Sequence, residues 1–320
     1  MKGKILGIKK KAAQLSFVIR GKILKRPVSI LVSRYSGLGD VLLSIPAVKA
    51  IKKIYPRAVI TYDTSREGRE ILEGCPYIDH LTVNLYKEDR GNFDREVHFK
   101  YELFPEMYIV DAYLRYIGAL KTADAEARKP EIWLSDADRA FADDFFTANG
   151  IKKDDIVIGV HAQARHAQRR WPIGKFREVI RYIVEKRGMK VIEFGVKEHE
   201  LAGGGLTLAG SSTLKGSAAV LEKCSMLLCN DSLFLHLAVA LGVPVVGIFG
   251  PVPPEIRLPR DEKFKGCYPQ EGCRGCILTE KDYDNFGMVC LRPSPECMEA
   301  VTVDMVKSRV EEQIDRMKAK

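Results

Sequence analysis

The chain has 320 residues, of which 46% are hydrophobic and 29% charged, a composition typical of a soluble globular protein long enough for two domains. It contains no run near the roughly 18 apolar residues of a membrane-spanning helix and no secretory signal peptide, so a cytoplasmic location is expected. The whole net charge of +9 lies in residues 1–26, which hold nine Lys and Arg and no acid, while the other 42 basic residues balance 42 acidic ones.

This basic N-terminal segment also carries apolar residues at helical spacing. They are Ile5, Ile8, Ala12, Leu15, Ile19 and Ile23. A basic amphipathic helix is typical of a membrane-surface element, and the alternatives are an extra helix packed on the body or a frayed terminus. Because aromatic residues are nearly absent among the charges, we expect no nucleic-acid binding. Residues 1–27 are therefore predicted to be an arm that contacts an anionic membrane surface.

Residues 28–150 alternate between apolar strands and amphipathic helices. Strands are predicted at 28–33, 58–62, 81–85 and 131–134. Helices are predicted at 41–55, 67–72, 108–120 and 136–149, the last one capped by Ser135 and Asp138. Residues 86–104 show no clear period. This order predicts a parallel sheet with helices on its faces.

Residues 151–303 repeat the same alternation, and residues 304–320 form a charged amphipathic helix. Strands are predicted at 156–160, 190–194, 226–229 and 243–249, and helices at 176–187, 215–224 and 236–241. The predicted fold class is α/β, with two Rossmann-like doubly wound domains that face a central cleft.

The most informative segment is 229–251, CNDSLFLHLAVALGVPVVGIFGP. Asp231, Ser232 and His236 are predicted to lie on a loop that runs into an apolar helix. Such a loop offers unpaired backbone N–H groups and the positive end of the helix dipole, an arrangement that binds phosphate. Ser232 and His236 add side-chain donors, so the segment predicts a phosphorylated ligand.

A basic loop, HAQARHAQRRWP at 161–172, follows the first strand of the second domain. Arginine forks suit the oxygens of a diphosphate, and a solvated basic loop is the alternative. His161 and Arg165 are candidate contacts to a donor or acceptor. Glu193 and Gly195 end the next strand and are candidates for contact with a nucleoside, with a simple capping role as the alternative.

The first domain carries SGLGD at 36–40, which lacks the full dinucleotide-binding pattern. Asp40 begins a helix, so it is either an N-cap or a carboxylate that accepts a proton from a substrate hydroxyl. Gly39 is a further candidate contact.

Five cysteines fall within residues 267–297, namely Cys267, Cys273, Cys276, Cys290 and Cys297. The two-residue spacing of Cys273 and Cys276 is that of a metal knuckle. The cluster predicts a structural zinc or an iron–sulfur cluster, with a disulfide or free thiols as alternatives.

Four of these segments, in this order, resemble glycosyltransferase family 9, which contains the ADP-heptose:lipopolysaccharide heptosyltransferases. They are SGLGD with its helix and Pro46, the loop ending in RRWP, LAGSSTLKGSAAVLEKCSMLLCNDS, and HLAVALGVPVVGIFGP. The resemblance runs from about Val28 to the end of the chain and is poorest at 86–104.

The resemblance implies a GT-B fold, with the acceptor site on the first domain and the nucleotide-sugar site on the second. It implies inversion at the anomeric carbon without a metal ion. Asp40 matches the family's proposed catalytic base, and Arg169 falls where the family usually has a lysine that faces the donor phosphates. Asp231, Ser232 and His236 match the donor-phosphate motif, whereas Leu233 stands where the family usually has glycine.

We therefore expect a glycosyltransferase at the inner face of the cell membrane that needs no cofactor for catalysis. It would move a heptose from ADP-heptose onto a lipopolysaccharide-core or other cell-envelope glycolipid. One alternative is a transferase of the same fold that uses another nucleotide sugar. The other is a catalytically silent nucleotide-binding paralogue, which Leu233 alone suggests.

Overall fold

A computed structural model describes residues 27–35, 37–85, 93–276, 290 and 292–319. The predicted arm therefore lies outside the described residues, except for its last position. Contacts divide the chain into two compact units, Met1–Trp133 and Leu134–Lys320. Within the described ranges, no helix has the length and apolar character needed to cross a membrane.

The first unit contains a four-stranded parallel sheet with the order β3-β2-β1-β4. The strands are β1 (Ser29–Ser33), β2 (Val59–Thr64), β3 (His80–Val83) and β4 (Arg95–His98). The predicted first three strands are confirmed. Strand β4 falls in the segment for which no strand was predicted. It lies at an edge of the sheet and only Val97 of its four residues is buried, so its sequence shows no apolar pattern.

In the described part of this unit, four α-helices accompany the sheet: α1 (Leu38–Leu43), α2 (Ile45–Ile54), α3 (Arg66–Leu72) and α4 (Ile109–Tyr116). The single helix predicted at 41–55 is wrong in one respect, since the chain breaks it at Ser44. Pro46 has no N–H to donate to the preceding turn, so α2 starts anew with proline in its first turn. The strand predicted at 131–134 is also wrong, because these residues form no ladder with another strand.

The second unit contains a six-stranded parallel sheet with the order β10-β9-β8-β5-β6-β7. Its strands are β5 (Val157–His161), β6 (Lys190–Glu193), β7 (Leu206–Thr207), β8 (Met226–Asn230), β9 (Val245–Ile248) and β10 (Phe264–Cys267). The central strands β5 and β8 are buried along their whole length. This sheet confirms the predicted second Rossmann-like set and adds the two edge strands.

The helices of the second unit are α5 (Asp136–Ala148), α6 (Ile173–Arg181), α7 (Leu214–Glu222), α8 (Leu233–Leu241), α9 (Pro254–Arg257), α10 (Glu296–Glu299) and α11 (Val303–Lys318). The reciprocal cap of α5 by Ser135 and Asp138 is confirmed. Helix α5 was expected in the first domain, but it belongs to the second unit. It buries Ala142 and Phe146, and Arg139 pairs with Glu222 on α7 at 3.1 Å.

Helix α8 begins three residues earlier than predicted, with Ser232 as its N-cap and Gly242 at its end in the left-handed conformation at φ 73°. His236 therefore lies within the helix and is buried, not on the loop before it. Only Asp231 and Ser232 occupy the connection between β8 and α8.

Candidate functional site

In the second unit, the predicted ligand residues gather at one edge of the parallel sheet. His161 ends β5, Glu193 ends β6, and Asp231 directly follows the last residue of β8. Because the carboxyl ends of parallel strands meet at the same edge, this is where open α/β sheets bind their ligands.

The centre of this edge is a buried ionic group, which we call the Asp–Arg cluster: Asp231, Arg169 and Arg257. Oδ2 of Asp231 lies 3.1 Å from Nη1 of Arg169 and 3.4 Å from Nε of Arg257. Burial alone would raise the pKa of Asp231, but Arg169, Arg257 and His236 outweigh it and lower that pKa. The cluster thus holds one anion and two cations and leaves an excess of positive charge at the sheet edge.

Arg169 presents an unused donor beside a small pocket. The pocket is lined by Arg169, Asp231, Ile248, Phe249, Gly250, Pro251, Val252 and Met298. Nε of Arg169 is buried and has no hydrogen-bond partner among the described residues. A buried donor without a partner is unfavourable, so an oxygen-rich anion at this place would satisfy it.

Ser232 is held by the ring of His161. Ser232 Oγ and His161 Nδ1 lie 3.0 Å apart, and the imidazole stacks on Phe234 with 4.4 Å between ring centroids. Burial lowers the pKa of His161 to about 3, so this ring is neutral at physiological pH. Ser232 makes no cap bond to α8, which leaves the first backbone N–H groups of that helix available to an anion.

The remaining predicted contacts of this unit have structural partners or are exposed. Oε2 of Glu193 accepts a hydrogen bond from the N–H of Gly203 at 3.1 Å. Gly195 lies so close to the Gln163 amide that a Cβ would overlap with it. Arg165 is exposed. Burial lowers the pKa of His166, and the positive charges of Arg169 and Arg165 lower that pKa further.

In the first unit, Asp40 lies in the first turn of α1. The N-cap of this helix is Gly37, so the N-cap alternative for Asp40 is wrong. Gly37 has a φ of 76°, and a Cβ there would overlap with the Asp40 carboxylate. Glycine is therefore required for the turn that presents Asp40, whereas Gly39 is the second residue of the helix.

Asp40 is paired with an arginine that the sequence had not singled out. Nη2 of Arg34 donates to Oδ2 of Asp40 at 2.8 Å, and the same nitrogen donates to Oε1 of Glu102 at 2.9 Å. Glu102 lies in the segment 86–104, four residues after the end of strand β4. Because β4 was not predicted, nothing in the sequence pointed to Glu102 as a site residue.

None of the eight cysteines forms a disulfide in the structure. Burial, and after it the nearby Cys273 and Cys276, raise the pKa of Cys297 to about 12, so these three thiols are neighbours. Cys267 contacts the carbonyl of Met305 and Cys290 that of Ser294. Among the described residues, no three His, Cys, Asp or Glu side chains are arranged to hold a metal ion.

Comparison with known proteins places these features in one family. The family model described as "Glycosyltransferase family 9 (heptosyltransferase)" matches residues 97–286. Over 181 residues the chain is 26% identical to lipopolysaccharide heptosyltransferase 2 of Escherichia coli (strain K12), covering 51% of this chain and 50% of that protein. The chain thus spans about half the length of the curated relatives it matches.

Solved structures share the fold over nearly the whole chain. A glycosyltransferase family 9 protein from Veillonella parvula DSM 2008 matches 91% of this chain and 98% of its own, with a TM-score of 0.70 and 18% identity. The iron-containing dodecameric glycosyltransferase TibC from enterotoxigenic E. coli H10407 matches 93% of this chain and 81% of its own, with a TM-score of 0.72 and 16% identity. TibC is also known in complex with ADP-D-beta-D-heptose. The fold is therefore the GT-B fold, and since the family model covers more than half of its residues, the chain belongs to glycosyltransferase family 9.

Proposed function

We propose that this chain is an inverting, metal-independent glycosyltransferase that moves a heptose from ADP-heptose onto a lipopolysaccharide-core or other cell-envelope glycolipid. The observation that carries the proposal is the Asp–Arg cluster before the N-terminus of α8, within the segment that the family model matches. The names of the relatives support the sugar, since heptosyltransferase 2 is the curated match and TibC binds ADP-D-beta-D-heptose.

The second unit supplies the donor half of the reaction. When the bond between the anomeric carbon and the diphosphate breaks, the electron pair leaves with ADP and its phosphate oxygens gain charge. Arg169 and the first N–H groups of α8 stabilise that charge as preorganised donors. Asp231 does not itself contact the diphosphate, because its carboxylate and the phosphate oxygens are both negatively charged and repel each other. It orients Arg169 instead.

The first unit supplies the acceptor half. The acceptor hydroxyl attacks the anomeric carbon, a new C–O bond forms, and the hydroxyl proton passes to Asp40 as general base. A single displacement from the side opposite to the leaving group inverts the configuration. The arginines of the Asp–Arg cluster balance the charge of the leaving group, so no metal ion is needed for the step.

The experiment is a donor panel. The purified protein is incubated with ADP-heptose and other nucleotide sugars in the presence of membrane glycolipid extract, and nucleoside diphosphate release is followed. We expect release from ADP-heptose that Asp40→Asn abolishes, with Asp144→Asn, an exposed aspartate on α5, as the matched control. Release from another donor alone would identify the same-fold alternative. Nucleotide binding without release from any donor would favour the silent paralogue.

We also propose that residues 1–26 hold the protein at the inner, anionic face of the cell membrane. Their nine positive charges support this proposal, since each Lys or Arg near an anionic surface contributes about 1 kcal/mol. Flotation with vesicles that contain anionic lipid is expected for the full chain and not for a chain without residues 1–26. Equal flotation of both would contradict it.

A third proposal concerns the cysteines. Cys273 and Cys276, with Cys290 and either Cys267 or Cys297, would hold a structural zinc or iron–sulfur cluster, and the proximity of Cys297 to Cys273 and Cys276 supports this proposal. TibC is an iron-containing relative. The described side chains do not form a complete ligand set, and no catalytic step depends on the metal. Protein purified without chelator should contain zinc or iron, and the absence of both would refute this proposal.

A further inference from the structure

The side chain of Arg34 is enclosed by the segment that follows β4. It is only 10% exposed, and Nη1 donates to the carbonyl of Phe99 at 3.1 Å. Its guanidinium also lies over the ring of Tyr101, 5.1 Å from the centroid. These contacts fix the direction of the guanidinium.

The same guanidinium contacts two carboxylates. Nη2 is shared between Asp40 at 2.8 Å and Glu102 at 2.9 Å, and Nη1 reaches the second oxygen of Glu102 at 3.3 Å. Arginine is charged at every physiological pH and bonds a carboxylate through both nitrogens. Glu102 is therefore held by two hydrogen bonds and Asp40 by one.

This arrangement makes the two oxygens of Asp40 unequal. Oδ2 accepts the bond from Arg34, whereas no donor among the described residues reaches Oδ1. Oδ1 is thus the atom that can take a proton without first losing a hydrogen bond.

The second carboxylate matters once the proton has moved. A protonated Asp40 no longer balances Arg34, and a buried arginine that loses its counter-charge is strongly disfavoured. Glu102 keeps its two bonds to the guanidinium in both states, so the arginine stays in place through the reaction.

We propose that Arg34 is a positioning residue for Asp40, and that Glu102 acts through Arg34 by keeping the guanidinium paired after Asp40 has accepted the proton. The inference rests on the proposed role of Asp40 as the base that serves the acceptor hydroxyl.

The test is a double-variant cycle on kcat for ADP-heptose with glycolipid extract. Arg34→Met is expected to lower kcat by about 100-fold, the loss that follows from a displacement of roughly 1 Å at a reacting group. Glu102→Gln is expected to lower it about tenfold, as for one hydrogen bond to a charged group. Because Glu102 acts through Arg34, the double variant should equal Arg34→Met alone.

Three controls separate positioning from general stability. Arg69→Met removes an exposed arginine that pairs with Glu73 in the same unit, and should leave kcat unchanged. The dissociation constant for ADP, which reports on the second unit, should stay within about twofold in every variant. Guanidinium ion added to Arg34→Ala should restore part of kcat, which a merely misfolded variant would not show.

The outcomes are distinct. Near-normal kcat in Arg34→Met, while Asp40→Asn is inactive, overturns this inference and leaves the proposed function intact. Independent, multiplicative losses in the double variant overturn the role of Glu102. Turnover that survives Asp40→Asn, or absence of turnover in the natural protein, overturns the proposed function and this inference together.

Discussion

Replacement of Asp231 by asparagine is expected to destabilise the second unit because it removes the single anion of the Asp–Arg cluster. Asp231 is 4% exposed, and the side chain of Arg257 is 3% exposed. Arg169 and Arg257 would keep their charges inside the protein without a carboxylate between them. Breaking a buried pair from one side costs about 3–5 kcal/mol, and since the asparagine oxygen still accepts a hydrogen bond, we expect the lower figure, about 3 kcal/mol.

The assay is urea unfolding followed by fluorescence of Trp171, whose backbone N–H donates to Asn230 beside the cluster at 3.1 Å. Trp133 is replaced by Phe in all samples so that only the second unit contributes. Asp144→Asn is the matched control. If Asp231→Asn lowers the free energy of unfolding by less than about 1 kcal/mol, the two arginines do not depend on this carboxylate and the expected destabilisation is wrong.

The same variant has a defined pH dependence. The pKa of Asp231 is lowered in the folded protein, chiefly by Arg169 and Arg257 against the opposing effect of burial. Its contribution to stability is therefore complete above the pKa of an unfolded aspartate, about 3.9, and is lost as the pH falls through the lower folded value. The difference between the natural protein and the variant should narrow only below about pH 3.9.

Three further predictions concern Arg257, Gly37 and His161. Arg257→Met, which removes the buried cation of the Asp–Arg cluster, should weaken ADP binding about tenfold by calorimetry, because the cluster would then hold one cation and one anion and lose its excess positive charge; unchanged affinity would contradict it. Gly37→Ala should lower kcat about 100-fold by displacing Asp40, whereas Gly150→Ala, also at positive φ but in open space, should leave it unchanged. Because the pKa of His161 is about 3, its ring NMR signals should not titrate between pH 5 and pH 8, and a titration there would show that the ring is not buried.

The sequence predicted the central strands of both sheets and one edge strand, β3, but missed the edge strands β4, β7 and β10. Strands β1, β5 and β8 are apolar runs because neighbours cover them on both sides, and their pattern predicts them directly. Strands β4 and β10 lie at sheet edges, where fewer of their residues are buried. Their sequences, REVH and FKGC, carry no period by which a strand could be predicted.

The candidate site shows the same division. Asp231 and Arg169 were predicted because each follows an apolar strand in a short polar loop, where a ligand residue is expected. Arg257 and Glu102 come from segments that suggest only turns and exposed charge. Arg257 is buried against Asp231, and Glu102 is half-buried against Arg34. Both partners lie far away in the sequence, and pairing of this kind leaves no local signal.

Sugar transfer and donor binding, both measured in Asp40→Asn, are the direct test of Asp40 as the catalytic base. The natural protein is expected to release ADP from ADP-heptose in the presence of glycolipid extract. The variant should bind ADP with unchanged affinity and release none. Near-normal turnover in the variant would contradict the assignment of Asp40 as the base, and absence of turnover in the natural protein with every donor and extract would contradict the proposed transferase itself.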